Sequence, residues 1–230
     1  MRRRSLSLTR ALIGFSLIVL SSCATSRGAA TGWTWLPHGH SAETGFGMYS
    51  YVLFAKPPQT DYDEKRYEAV LTALMGSTAP VGRMTEPRNS INVTYIPVRY
   101  GMTVVTMSPS ESAKSALEFY DYEAARNLLN LCSDRMQRPL FEDGPYIFSS
   151  SSPISTQSKV EVVLIQNLTR TTPDNVEQWV NEFMQRAYSS DFRKPDSIEH
   201  FALELRNAIS VSAIVFGDIA DWIGLFKPKA

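Results

Sequence analysis

The chain has 230 residues with 23 basic and 23 acidic side chains, so its formal charge is zero with histidine neutral. Four of the basic residues, Arg2, Arg3, Arg4 and Arg10, fall within the first 22; the 208 residues that follow carry 19 basic against 23 acidic groups, a net −4. That balance excludes the basic footprint of a general nucleic-acid binder and offers no broad attraction to anionic lipid, while 208 residues suffice for one domain with its own core.

The N-terminus divides into three parts. The arginines come first, Ala11 to Leu20 is an apolar run of ten residues, and Leu20-Ser21-Ser22-Cys23 follows at once. Ten residues engage an export machinery but fall short of the roughly 20 that a stable membrane span needs. The tetrapeptide resembles the lipobox of bacterial lipoproteins, a small-residue cleavage site that ends in an obligatory cysteine. The resemblance covers residues 1–23. It implies removal of residues 1–22, diacylation of the Cys23 sulfur and acylation of its new amine, and two or more chains hold a protein firmly on a bilayer. It also implies, from Ala24 in place of an aspartate, the outer rather than the inner membrane. Cleavage of an ordinary secretory signal near Ala29-Ala30 and an uncleaved anchor are the competing readings.

Residues 23–44 are small, glycine-containing and polar, as a tether between lipid and domain would be. Trp33 and Trp35 interrupt it, either resting at a membrane interface or docking on the domain. The domain itself is expected from residue 45 to residue 230. Phe46 to Ala55 predicts a strand with apolar residues on both faces, hence a central one. Residues 62–75 predict a helix, with Tyr67, Val70, Leu71 and Leu74 on one stripe and Asp61, Asp63 and Glu64 favouring its start. Ile91–Val98 and Met102–Met107, separated by Arg99-Tyr100-Gly101, predict a hairpin, with Pro97 placing the first strand at an edge or bulge.

Ser108-Pro109-Ser110-Glu111 combines a capping box with proline at the first helical position, and the apolar stripe that follows predicts a helix from 109 to about 132, with a break near Asp121. Tyr146–Ser149 and Val160–Asn167 predict two strands. Thr172-Pro173 opens a strongly amphipathic helix through Val176, Trp179, Val180, Phe183, Met184 and Ala187. Asp196-Ser197-Ile198-Glu199 opens a last helix expected to run to about Ile223. From Ala208 onward it is apolar on nearly all sides, which fits a buried helix, a helix at a membrane interface or against a partner, or least readily a span. The order β-α-β-β-α-β-β-α-α predicts an α+β fold: one domain, a mixed or largely antiparallel sheet of about five strands, and about four helices.

No catalytic or cofactor motif stands out, so no cofactor and no metal site is expected. His38-Gly39-His40 offers two imidazoles, with Glu43 nearby, where zinc wants three or four ligands. Outside the tether the one histidine is His200, which reads as a helix pair with Glu204. Ser149 to Ser152, read as a loop after a strand, and Asp143 are the residues a hydrolase would use, although Gly-x-Ser-x-Gly is absent. Asp121 with Glu123 and Glu142 with Asp143 are carboxylate pairs, but neighbours on a helix do not share a face, and Glu142-Asp143-Gly144-Pro145 reads as a turn. Asn92 and Asn167 match glycosylation sequons that a bacterial lipoprotein would not use. Tyr49, Tyr51, Tyr95, Tyr100, Tyr120, Tyr122 and Tyr146 are aromatic candidates for a pocket or for the core. Cys132, on an apolar helical stripe, reads as a buried small hydrophobe.

These readings converge on a lipid-anchored envelope lipoprotein with a non-enzymatic binding or structural role on the periplasmic side, held to the membrane through Cys23, with an envelope protein as its partner and no nucleic acid. A membrane-anchored envelope hydrolase and a small-ligand binding or sensor domain are the alternatives.

Overall fold

The structure, a computed structural model, describes residues 30–100, 107–136, 143–155, 163–189, 196, 198–205, 207 and 223–226. Seven strands form one sheet: β1 (Ala30–Pro37), β2 (Met48–Leu53), β3 (Ala79–Pro80), β4 (Ile91–Val98), β5 (Tyr146–Ser150), β6 (Val163–Asn167) and β7 (Ile223–Phe226), in the spatial order β3-β1-β4-β2-β5-β6-β7. The helices are α1 (Asp61–Ser77), α2 (Pro109–Glu118), α3 (Tyr122–Met136) and α4 (Pro173–Ser189), and residues 198–205 are also helical. The expected α+β class and mixed sheet are what the fold shows.

The sheet has two halves. β3, β1, β4 and β2 run parallel to one another, whereas β5, β6 and β7 are joined by antiparallel ladders, with β2 as the seam. All six residues of β2 and all eight of β4 are buried. The doubly apolar sequence of β2 thus marks a strand covered on both faces.

Paired residues share a face of the sheet. Tyr49, Tyr51, Val93, Tyr95 and Phe148 lie on one; Ser50, Val52, Thr94 and Ser149 lie on the other. The second face carries α1 and α4: Phe54 stacks on Tyr67 of α1, and Trp179 of α4 donates its indole N–H to Gln166 of β6 at 2.7 Å. α2 packs on α1, and α3 packs against β2 and β4, where Cys132 is buried as expected. The sequence stripe of α4 is the stripe that goes inside: Val176, Trp179, Val180, Phe183, Met184 and Ala187 are all buried.

Local signals set the helix ends. Thr60 accepts the Asp63 N–H and caps α1. Ser108 and Glu111 form both halves of the capping box on α2, with Pro109 in the first turn. The helical stretch from 109 breaks at Phe119–Asp121, the break expected near Asp121, and Asp121 starts α3 afresh.

Four expectations need correction. First, the tether does not reach residue 44, because residues 30–37 are strand β1, paired along its whole length with β4. The small residues read as flexibility are there for close approach: a Cβ on Gly32 would overlap the Met84 sulfur and stand 3.0 Å from the Ala79 carbonyl. Trp33 is buried and Trp35 half-buried against the core, so both dock on the domain.

Second, β4 is not half of a hairpin, since both of its sides are taken by parallel neighbours. Pro97 is tolerated because the β2 ladder ends at Tyr95. Beyond that point the α2–α3 junction takes over: Arg99 N–H donates to Phe119 O at 2.9 Å and Asp121 N–H to Pro97 O at 3.1 Å. Of the expected partner strand Met102–Met107, residues 102–106 lie outside the described residues, and Met107 is exposed and outside any strand.

Third, Ser149 and Ser150 do not sit in a loop; they end β5 and are buried. Fourth, Ile223, the expected end of the last helix, instead opens the strand Ile223–Phe226, which pairs with β6. Short apolar runs do not distinguish a buried strand from a buried helix by periodicity. The apolar segment 208–222, Cys23 and Glu142 lie outside the described residues. Among those residues no helix is long and apolar enough to cross a membrane.

Candidate functional site

Parallel strands put their carboxyl ends on one edge of a sheet, and in open α/β sheets ligands gather outside that edge. Here β1, β4 and β2 end together, at Pro37, Val98 and Leu53. The chain leaves β1 through a tight turn. His40 N–H donates to Pro37 O at 3.0 Å, and Gly39 supplies the positive φ of 74° that the turn requires. His38 N–H donates to Val98 O at 2.9 Å, which pins the first turn residue to β4.

The turn brings His38 to Asp121. Its Nδ1 lies 2.5 Å from Asp121 Oδ2, and the His38 side chain is 54% exposed against 4% for Asp121. The carboxylate is held from its other side. Oδ1 accepts the Glu123 N–H at 3.1 Å and the Ala124 N–H at 2.9 Å, so Asp121 is also the N-cap of α3. The imidazole is therefore oriented by a buried anion that is itself oriented by a helix end. The hydrogen bond to Asp121, then the charge of Asp121 and that of Glu123, raise the His38 pKa, against a smaller desolvation effect.

Around this pair stand Arg99, whose guanidinium donates to Glu118 O at 2.5 Å, and Tyr100, 56% exposed with its ring 5.3 Å from that of Phe119. Burial pushes the Tyr122 hydroxyl up to about 12, with Arg99 opposing. Lys56, after β2, and Asp143, before β5, form a half-exposed ion pair at 2.7 Å.

An imidazole held through Nδ1 by a carboxylate has its tautomer and ring direction fixed, which is how such a group serves as a general base or as a metal ligand. Among the described residues no three His, Cys, Asp or Glu side chains form a metal-ligand set. His40 is exposed, and Glu43 pairs with Arg88 at 2.8 Å rather than with the histidines.

The remaining candidates go elsewhere. Ser149 Oγ is 3.0 Å from Ser50 Oγ, which donates to Asn92 Oδ1 at 3.3 Å, a buried polar row across β5, β2 and β4. Ser150 Oγ donates to Ser152 O at 2.6 Å. No histidine stands in this row. His200 and Glu204 form the expected helix pair, at 3.8 Å.

Most of the tyrosines serve the chain itself. The hydroxyls of Tyr49, Tyr51 and Tyr95 accept the backbone N–H groups of Phe46, Ile154 and Glu43 at 3.0, 3.1 and 3.0 Å. Tyr120 accepts from Phe54 N–H at 3.0 Å and donates to Val52 O at 2.9 Å. Burial pushes the hydroxyls of Tyr51, Tyr95 and Tyr120 above the usual phenol range. A shallow cavity of about 260 Å³ opens between β1, the end of α1 and α4, lined by Thr31, Ser77, Asn181, Met184, Gln185 and Tyr188.

Sequence reasoning treated His38 with His40 and Asp121 with Glu123, and missed the pairing of His38 with Asp121, 83 residues apart. One local sign was present: an aspartate at a helix break, followed by a fresh helical run, reads as an N-cap whose second oxygen is free for a partner. Compared with known proteins, the chain matches no family model, no curated protein and no solved structure.

Proposed function

We propose that the chain is a lipid-anchored envelope lipoprotein, held through Cys23 on the periplasmic face of the outer membrane, whose domain is a non-enzymatic binding module for another envelope protein. The anchor rests on the order of arginines, apolar run and Leu20-Ser21-Ser22-Cys23. One observation carries the binding role: the hydroxyls of Ser149, Ser150, Tyr49, Tyr51, Tyr95 and Tyr120 are hydrogen-bonded within the fold, while the carboxyl edge of β1 and β4 presents Tyr100 and His38 to solvent. An exposed aromatic beside oriented polar groups is the composition of a recognition surface rather than of a closed active site. A photo-crosslinking residue at Tyr100, in the native membrane, is expected to give a discrete protein adduct, and the same residue at Leu203, exposed on another surface, is expected to give none. Equal labelling from both positions, or none from either, refutes the reading.

The His38–Asp121 pair favours a second reading, an anchored hydrolase in which His38 activates water. In that case His38→Gln abolishes turnover of an envelope ester or amide while the fold persists; under the binding reading there is no turnover to lose.

A further inference from the structure

A cavity, a side-chain pair and a strand direction each offer something here, and the strand direction goes furthest. β1 begins at Ala30, level with Ile91 on the amino edge of the parallel strands, and ends at Pro37, level with Val98 on the opposite edge. Seven residue-to-residue steps, across the six residues 24–29, therefore join Cys23 to a residue fixed in the sheet. Whatever conformation those residues take, they reach at most about 25 Å. From Ala30 to Pro37, β1 rises about 23 Å from one edge to the other.

We infer that the domain stands on the lipid surface by the amino edge of its parallel strands and holds the His38–Asp121 edge away from the membrane; this rests on the lipoprotein reading above. Inverting the domain would lift Ala30 a full strand height above the bilayer, nearly the whole reach of the leader segment, before any side chain at the other edge found room. With a tether ending at residue 44 the domain would tumble freely, and no edge would be preferred. The occupant of the amino edge is thus the phospholipid surface in which Cys23 is anchored. The turn Arg88–Ser90, which precedes β4 on that edge, faces the headgroups, and the carboxyl edge is left for a partner that is not the membrane carrying the anchor.

The test places a fluorescent donor at Asn89→Cys or at Tyr100→Cys in the full-length, acylated protein. Both positions are exposed, at opposite ends of β4, and Cys132 is buried enough to stay unlabelled. The protein is inserted from outside into phosphatidylethanolamine–phosphatidylglycerol vesicles carrying a rhodamine-lipid acceptor. Energy transfer is expected to be several-fold stronger from position 89 than from position 100, and a 20-residue Gly-Ser insertion after Arg27 is expected to remove the difference. Equal transfer without the insertion, or stronger transfer from position 100, overturns the inference. Intact mass separates the two ways of failing: an unacylated chain sinks the anchor reading and this inference with it, whereas an acylated chain with the wrong ranking sinks the inference alone.

Discussion

Asp121 does two jobs that substitution can separate. Asp121→Ala removes the cap from α3, leaving the Glu123 and Ala124 N–H groups without their acceptor, and removes the partner of His38. Loss of an N-cap costs about 1 kcal/mol, with a range of roughly 0.5 to 2. In a domain of this size about 1–2 kcal/mol lowers Tm by roughly 2–8 °C. Asp121→Asn keeps a capping oxygen, and Asn caps about as well as Asp, so its Tm is expected within about 2 °C of wild type. The charge on the pair is lost in both variants. Because the folded state raises the His38 pKa, its contribution is fully present below the unfolded value of about 6.5 and is lost as pH rises through the folded pKa. Wild type therefore loses this increment of stability between pH 6.5 and the elevated pKa, and Asp121→Asn does not. Thermal unfolding from pH 5.5 to 8.5, with imidazole titration by NMR (the chain has three histidines), measures both jobs. Equal Tm values for Ala and Asn would refute the capping argument, and an unchanged His38 titration in Asn would refute the pairing.

Three further outcomes follow from packing. Tyr120→Phe strands the buried Phe54 N–H and Val52 carbonyl, and urea unfolding is expected to show a loss of about 2–3 kcal/mol. Gly32→Ala forces the Met84 sulfur and the Ala79 carbonyl to give way, at about 1–3 kcal/mol, while Gly82→Ala, where a Cβ meets nothing within 4 Å, is expected to change stability by less than about 0.5 kcal/mol in the same assay. Trp179→Phe removes the donor to Gln166 Oε1 inside the core and is expected to cost about 1–3 kcal/mol, more than Gln185→Ala on an exposed part of the same helix.

What the sequence made legible was local. Ser108 and Glu111 cap α2 because a capping box needs only four neighbours, and the stripe from Val176 to Ala187 faces the core because its period is the helix period. The break at Asp121 was visible for the same reason. Pairing was not. That β4 lies between β1 and β2, and that Pro97 sits just past the end of one ladder, depends on residues up to 61 positions away, and nothing in Ile91–Val98 distinguishes a parallel interior strand from a hairpin arm. Gly32 and Thr34 read as tether because flexibility and close packing select the same small side chains. His38 and Asp121 were each noticed, but their partnership exists only once β1 and the α2–α3 junction reach the same edge.

The parallel half of the sheet also sets a timetable. Ala30 pairs with Ile91, and β3, the other neighbour of β1, begins at Ala79, so every partner of the first strand lies later in the chain. At a synthesis rate of about 5–20 residues per second, the 61 positions from 30 to 91 represent roughly 3–12 seconds in which Trp33 and Trp35 are made but unburied. The antiparallel ladder of β5 with β6 closes over a far shorter stretch. β1 therefore waits for both of its neighbours, and a nascent chain stalled before residue 91 carries an exposed pair of indoles for chaperones or proteases to find.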